Sequence, residues 1–172
     1  MTKIDRPILK DAPPWYKYFF DLAKGDDLIE ALEKNKQATL GLIASIPSAL
    51  EDHQYAEGKW NIKQVFIHLC DEERYYAYKA FCLSRQTNLL LEIPMSESYT
   101  KDFNVTGRTL EDIAWEFETV RNATISLLST MSLEMLDFKF PDEEPYTAMS
   151  LGWFAVGHNE HHGRLVRERY LV

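Results

Sequence analysis

Residues 60–85, WNIKQVFIHLCDEERYYAYKAFCLSR, carry apolar side chains at the spacing of one face of a helix. The apolar positions recur every three or four residues along most of the stretch: Ile62, Val65, Phe66, Leu69, Tyr76, Ala80 and Leu83. A stripe of this kind is typical of a helix that buries one face against other helices. We therefore predict a long helix over about residues 60–85.

The same periodicity predicts three further helices, over about residues 26–46, 109–130 and 147–170. Pro47 ends the first of them. Thr109 is the predicted N-cap of the helix over about residues 109–130. Asp112, three residues further on, completes a capping box in which a carboxylate takes the place of the usual Glu or Gln. Residues 1–25 contain several prolines and a run of aromatic side chains. We expect them to form an extended arm that turns into a short helical segment and packs on the body.

Four helices, with no convincing strand and no internal repeat, predict an all-α four-helix bundle, with residues 1–172 as one domain. The short link between the first two helices predicts antiparallel neighbours. Residues 86–107 show no sustained period and contain Pro94 and Gly107. A connection of this length is uncommon in a compact domain, and it permits a crossover that leaves the second and third helices parallel.

Composition and charge narrow the range of possible functions. The net charge of -8 argues against a nucleic-acid partner, which requires a clustered basic surface. No stretch looks like a signal peptide or a membrane span. The two cysteines, Cys70 and Cys82, fall in one predicted helix about 18 Å apart, too far for a disulfide. Reduced cysteines fit a cytoplasmic protein, and the acidic charge balance argues against binding to an anionic membrane surface.

Four of the five histidines fall in the predicted helices. In the segment GHNEHHG, His158 and His162 are four residues apart, and His158 and His161 are three apart. Either spacing places two imidazoles on one helix face, where they can hold one metal ion. The apolar face of this helix has His158 at its middle and the other two on its flanks. Spacing therefore leaves the second ligand open, and His68 is the remaining helical histidine.

A site with three histidine ligands keeps at least one coordination position open, which is the pattern of catalytic zinc sites. Nitrogen ligands favour zinc or nickel, with manganese and iron as further candidates. Asp71 and Glu72 follow His68 by one turn. We consider Asp71 a candidate for accepting a ligand's other ring N–H, and the alternative is that these charges are solvated. Tyr75 and Tyr78 are candidates for lining a pocket, and Asp71 and Tyr75 are the candidate catalytic residues.

Two motifs resemble a known family. YAEGKWNIKQVFIHLCDEERYYAYKAFCLSR is similar to the segment of the DinB/YfiT-like superfamily that carries its first metal histidine, and YTAMSLGWFAVGHNEHHGRLVRERYL is similar to its C-terminal GHxxHH helix. The resemblance begins at YFFDLAKGDDLIEAL and spans nearly the whole chain. It implies a four-helix bundle with a long second-to-third crossover, and it implies His68, His158 and His162 as the metal ligands.

The resemblance also implies a homodimer, and it narrows the reaction only in part. Some relatives are metal-dependent transferases or isomerases that use a low-molecular-weight thiol such as bacillithiol, mycothiol or glutathione. Our first hypothesis is a transferase of this kind, which joins the thiol to a small electrophilic substrate. The alternatives are a metal-dependent hydrolase and a non-catalytic module in which the metal stabilises the bundle or is sensed by it.

Overall fold

The computed structural model describes residues 3–7, 13–87, 103, 105–140 and 146–172, and the regular structure of these ranges is helical throughout. The helices are α1 (Pro14–Leu22), α2 (Leu28–Ser45), α3 (Ile62–Ser84), α4 (Leu110–Ser129), α5 (Leu133–Asp137) and α6 (Ala148–Leu165), with a 3₁₀ turn at Ser48–Leu50 and a π-helical turn at Val166–Tyr170. The predicted all-α class is confirmed. Most of the predicted crossover, residues 88–102 and 104, lies outside the described residues.

Short polar side chains begin each of the four long helices. Asp27, Asn61, Thr109 and Thr147 each accept a hydrogen bond from the backbone N–H three residues further on. Each such cap satisfies one of the free N–H groups of a helix start and stabilises it by about 1 kcal/mol. The observed bounds lie within two residues of the predicted ones, except that α6 ends at Leu165 and the π-helical turn continues to Tyr170.

The four long helices form the bundle, and α2 and α3 occupy diagonal corners. Each of them packs against both α4 and α6. Lys63, near the start of α3, donates to the carbonyl oxygen of Arg108 just before α4 (3.2 Å), so α3 and α4 run parallel. The prediction that the first two bundle helices, α2 and α3, are neighbours is therefore wrong. α4 and α6 fill the space between them, and the connection after α2 leads to the opposite corner.

A polar layer lies between the two larger of the three apolar clusters of the core. One cluster contains the starts of α2 and α6 and the ends of α3 and α4, and the other contains the opposite ends. Between them Arg121 is completely buried and forms a two-pronged ion pair with Glu73 (2.7 and 2.9 Å). Its third nitrogen donates to Asn35 Oδ1 (2.9 Å), which also accepts from Asn159 (3.2 Å). All four bundle helices thus meet in this layer.

The N-terminal helix α1 packs on α6 at very short range. A Cβ atom on Gly157 would lie 1.7 Å from the backbone oxygen of Phe19, so only glycine fits there. Arg6 donates to the carbonyl oxygens of Phe20 and Ala23 (2.6 Å each) at the end of α1. The residues before and within α1 therefore cover the part of α6 that precedes its histidines.

We expect Gly157→Ala to lower the free energy of unfolding by about 1–3 kcal/mol, because the backbone of α1 must move to admit the methyl group. Gly41→Ala is the matched control. A Cβ on Gly41 meets nothing within 4 Å, and alanine favours the helix by about 0.4–1 kcal/mol. Urea unfolding measures the free energy of unfolding of both variants. Equal changes in the two variants would contradict the close approach of α1 to α6.

Candidate metal centre

Two antiparallel helices bring three histidines together. His68 lies in the first third of α3, and His158 and His162 lie one turn apart on α6. The two helices are antiparallel, because Tyr170, which comes after α6, donates to the carbonyl oxygen of Trp60 before α3 (2.8 Å). The first part of α3 therefore faces the second half of α6, where the other two histidines are.

The three imidazoles converge on one point. One ring nitrogen from each of His68, His158 and His162 lies within 4.8 Å of the other two. The Nε2 atoms of His158 and His162 are 3.2 Å apart, and the ring centre of His68 lies 5.1 and 5.0 Å from those of His158 and His162. Within the described ranges, this is the one group of His, Cys, Asp or Glu side chains close enough to share an ion.

The hydrogen bonding of the cluster fits a metal site. All three side chains are buried, with 5, 6 and 9% exposure. The Nδ1 atoms of His68 and His162 are buried and have no hydrogen-bond partner among the described residues. Buried polar atoms are rarely left unpaired in folded proteins. Imidazole nitrogens in this arrangement are a donor set that zinc and nickel accept.

Burial keeps the cluster neutral. Desolvation lowers the pKa of His68 to about 4. It also lowers the pKa of His162 to about 3, with further contributions from the neighbouring histidines. The pKa of His158 falls well below its usual value for the same reasons. Since a metal ion binds the neutral imidazole, all three are in the binding form at neutral pH.

His161 points away from the cluster. It is half-buried, and its Nδ1 shares a hydrogen bond with the hydroxyl of Tyr18 (3.1 Å) on α1. Arg164 donates to the same hydroxyl (3.0 Å). Of the two spacings that the sequence leaves open, the structure brings the four-residue pair, His158 and His162, onto the inner face with His68.

Aromatic side chains surround the cluster. Trp60 lies 4.8 Å from His68 between ring centres. On the α6 side, Phe19, Tyr76 and Phe154 lie 5.3, 5.9 and 6.1 Å from His158. These rings limit contact with water and are the physical cause of the lowered histidine pKa values.

The acidic residues of α3 have partners of different kinds. Asp71 pairs with Arg74 (3.1 Å), and no described hydrogen bond joins it to a histidine. Tyr75 is half-buried beside Tyr76, with the ring centres 5.9 Å apart. Catalytic roles for Asp71 and Tyr75 stay predictions. Tyr76 was not among the expected site residues; it donates a hydrogen bond to Glu72, one turn earlier, and its ring lies 5.9 Å from that of His158.

The cysteines do not join the candidate centre. Cys70 and Cys82 are both free thiols and both buried. Burial raises the pKa of the Cys70 thiol far above its usual range, mainly through desolvation. A thiol in this state is a poor nucleophile and a poor metal ligand.

Fold and site together define a helical-bundle protein with a candidate metal centre of three histidines. The family model of the DinB superfamily matches residues 31–166, and the chain belongs to that superfamily. The resemblance noted in the sequence is thereby confirmed. A search of curated proteins gave no match. None of the helices in the described ranges is long and apolar enough to cross a membrane.

One solved structure shares the fold over nearly the whole chain. It is YfiT from Bacillus subtilis, described as a probable metal-dependent hydrolase with an unusual four-helix bundle topology. The two structures superpose with a TM-score of 0.68, over 95% of this chain and 93% of YfiT. The sequences are 14% identical, so the likeness establishes the four-helix bundle fold.

We expect the metal-free protein to lose stability as the pH falls below about 6.5. Between there and about pH 4, the unfolded chain protonates its histidines while the folded cluster resists protonation. The free energy of unfolding should therefore fall by up to about 1.4 kcal/mol per pH unit for each buried histidine.

Urea unfolding of the metal-free protein at several pH values measures this dependence. His68→Gln should make the curve less steep, because it removes one of the groups that titrate only in the unfolded state. His53→Gln, at an exposed position outside the cluster, is the control. An unchanged slope in His68→Gln would show that this imidazole is protonated equally in both states.

Proposed function

We propose that the chain binds one divalent metal ion through His68, His158 and His162, and that it is a metal-dependent enzyme acting on a small molecule. The observation that supports this most is the convergence of three buried, neutral imidazoles, each of which offers one ring nitrogen within 4.8 Å of the other two. Neutral imidazole nitrogens placed in this way are a donor set for one divalent ion.

The number of ligands favours catalysis over a structural role. No fourth His, Cys, Asp or Glu ligand joins the three histidines among the described residues. Three protein ligands leave a coordination position for another molecule, and a bound divalent ion lowers the pKa of a thiol or water held there. The nitrogen donors favour zinc or nickel, with manganese and iron as further candidates.

For the reaction, we propose transfer of a low-molecular-weight thiol to a small electrophilic substrate. Membership of the superfamily supports this class of chemistry. The aromatic rings around His158 add support, because they provide an apolar site for an organic substrate. Metal-dependent hydrolysis is the second candidate, and the description of YfiT as a probable metal-dependent hydrolase favours it.

The remaining parts of the proposal concern assembly and location. We propose a cytoplasmic homodimer, as the resemblance implies, with no nucleic-acid partner. Trp115 on α4 is 72% exposed, which supports an interface on the outer face of the bundle.

We expect the purified protein to bind about one zinc or nickel ion per chain, as measured by elemental analysis and calorimetry. Substituting His68, His158 or His162 by glutamine should weaken binding at least about 100-fold, because each change removes a ligand and not only an outer partner. His161→Gln is the matched control and should bind as the wild type does. An effect of His161→Gln equal to that of His162→Gln would contradict the assignment of ligands.

The metal-loaded protein should conjugate a thiol to 1-chloro-2,4-dinitrobenzene, and His158→Gln should abolish this turnover. Hydrolysis of p-nitrophenyl acetate without thiol would instead select the hydrolase. The two assays share one protein preparation and differ only in the added thiol. No metal-dependent turnover across a broad panel, together with a sharp loss of thermal stability on chelation, would point to the non-catalytic module.

A further inference from the structure

Three consecutive acidic residues in α3 point in three directions. Asp71 pairs with Arg74, and Glu73 pairs with the buried Arg121. Glu72, between them, accepts a short hydrogen bond from the hydroxyl of Tyr76. Asp71 and Glu73 thus pair with cations, and one of the contacts of Glu72 is with the phenol of Tyr76.

Glu72 lies next to the histidine cluster. It follows His68 by four residues, so both side chains lie on one face of α3. Its side chain is buried, with 8% exposure. Tyr76 forms a second link, because its hydroxyl donates to Glu72 while its ring lies 5.9 Å from that of His158. Glu72 is therefore linked to the cluster through its position one turn after His68 and through Tyr76, whose ring is near that of His158.

We propose that Glu72 is a catalytic residue that takes the proton from the thiol nucleophile, and that Tyr76 is the residue that positions its carboxylate. This proposal rests on the proposed thiol transfer at the histidine cluster. The S–H bond breaks, sulfur keeps the electron pair, and a Glu72 oxygen forms an O–H bond. Sulfur then bonds to the electrophile, and the leaving group departs with its bonding electrons. Glu72 gives its proton to a basic leaving group or, where the leaving group is as weak a base as chloride, to solvent.

The surroundings of Glu72 suit a proton acceptor. Desolvation raises the pKa of its carboxyl, and the nearby charge of Asp71 adds to this, while the hydrogen bond from Tyr76 opposes it. A buried carboxylate is therefore a stronger base than an exposed one. Return of the proton to a leaving group is also easier from an acid held in the same site than from solvent.

The hydrogen bond from Tyr76 restrains the carboxylate. The Tyr76 ring is held edge-on against Phe154, with the ring centres 5.0 Å apart. Because the phenol is fixed by this packing, its hydroxyl selects one orientation of the Glu72 carboxylate. Loss of the hydroxyl leaves the acid group in place and removes its orientation.

The test measures how many protons are released to the buffer when a thiol binds to the zinc-loaded protein. Wild type, Glu72→Gln, Glu72→Asp and the exposed control Glu118→Gln are loaded with zinc, and their zinc affinities are measured first. Binding of 2-mercaptoethanol is then followed by calorimetry at about pH 6 in buffers of different ionisation enthalpy. This pH is chosen because zinc lowers the pKa of bound water only to about 7, so solvent contributes little to the count.

We expect wild type and Glu118→Gln to release about zero protons per thiol bound, because Glu72 keeps the proton within the site. Glu72→Gln should release about one proton to the buffer, and its thiol affinity should rise about tenfold per pH unit. Its zinc affinity should stay within about threefold of the wild type. Glu72→Asp should restore a count near zero, since it retains a carboxylate.

Each of the other outcomes contradicts a named part of the proposal. A count near one in the wild type overturns the role of Glu72, even if Glu72→Gln does not fold. Equal counts in wild type and Glu72→Gln overturn it as well. Zinc binding without thiol binding overturns it together with the thiol reaction. Failure of the wild type to bind zinc overturns the proposed function itself, and the first measurement detects this separately.

Discussion

The guanidinium of Arg121 lies at the centre of the bundle, with none of its surface exposed. A charge so placed costs several kcal/mol unless it is paired and hydrogen-bonded. Glu73 supplies the opposite charge from α3, while Asn35 and the carbonyl oxygen of Leu32 accept hydrogen bonds from α2. Because Asn159 of α6 donates to Asn35, the requirement to satisfy one cation aligns all four helices at one level.

The candidate metal centre lies next to this layer. Glu73 follows His68 by five residues on α3, and Asn159 directly follows His158 on α6. Fixing these two helices at the level of Arg121 therefore also fixes the distance between their histidines. The apolar clusters on either side supply the burial that offsets the cost of desolvating the layer. The imidazoles are thus held neutral and close together by the fold.

Much of the fold could be predicted because it depends on local signals. Capping residues such as Thr109 and Thr147 determine where helices begin, and apolar periodicity shows which face is buried. The diagonal placement of α2 and α3 could not be predicted, because a connection's length does not specify which corner the next helix takes. Nor could the burial of Arg121, since a lone arginine in a helix is normally exposed.

The candidate site, like the fold, could be predicted from the sequence only in part. Spacing on α6 left His161 and His162 as alternatives, because both lie on flanks of the apolar face. The choice depends on the rotation of α6 against α3 and on Tyr18 of α1, which contacts His161 from the other side. The role expected of Asp71 stays a prediction, and the ion pair that it forms with Arg74, three residues further along α3, is a local contact. The choice between the two histidine spacings, in contrast, was decided by contacts between distant parts of the chain.

We propose that three histidines and no other protein side chain bind the metal. Anomalous diffraction from crystals of the zinc-loaded protein, recorded at the zinc edge, locates the ion and its ligands. We predict one peak about 2.0–2.1 Å from a nitrogen of each of His68, His158 and His162, with a non-protein ligand completing the site. A peak bound by His161, by a cysteine or by a fourth protein side chain would contradict the account.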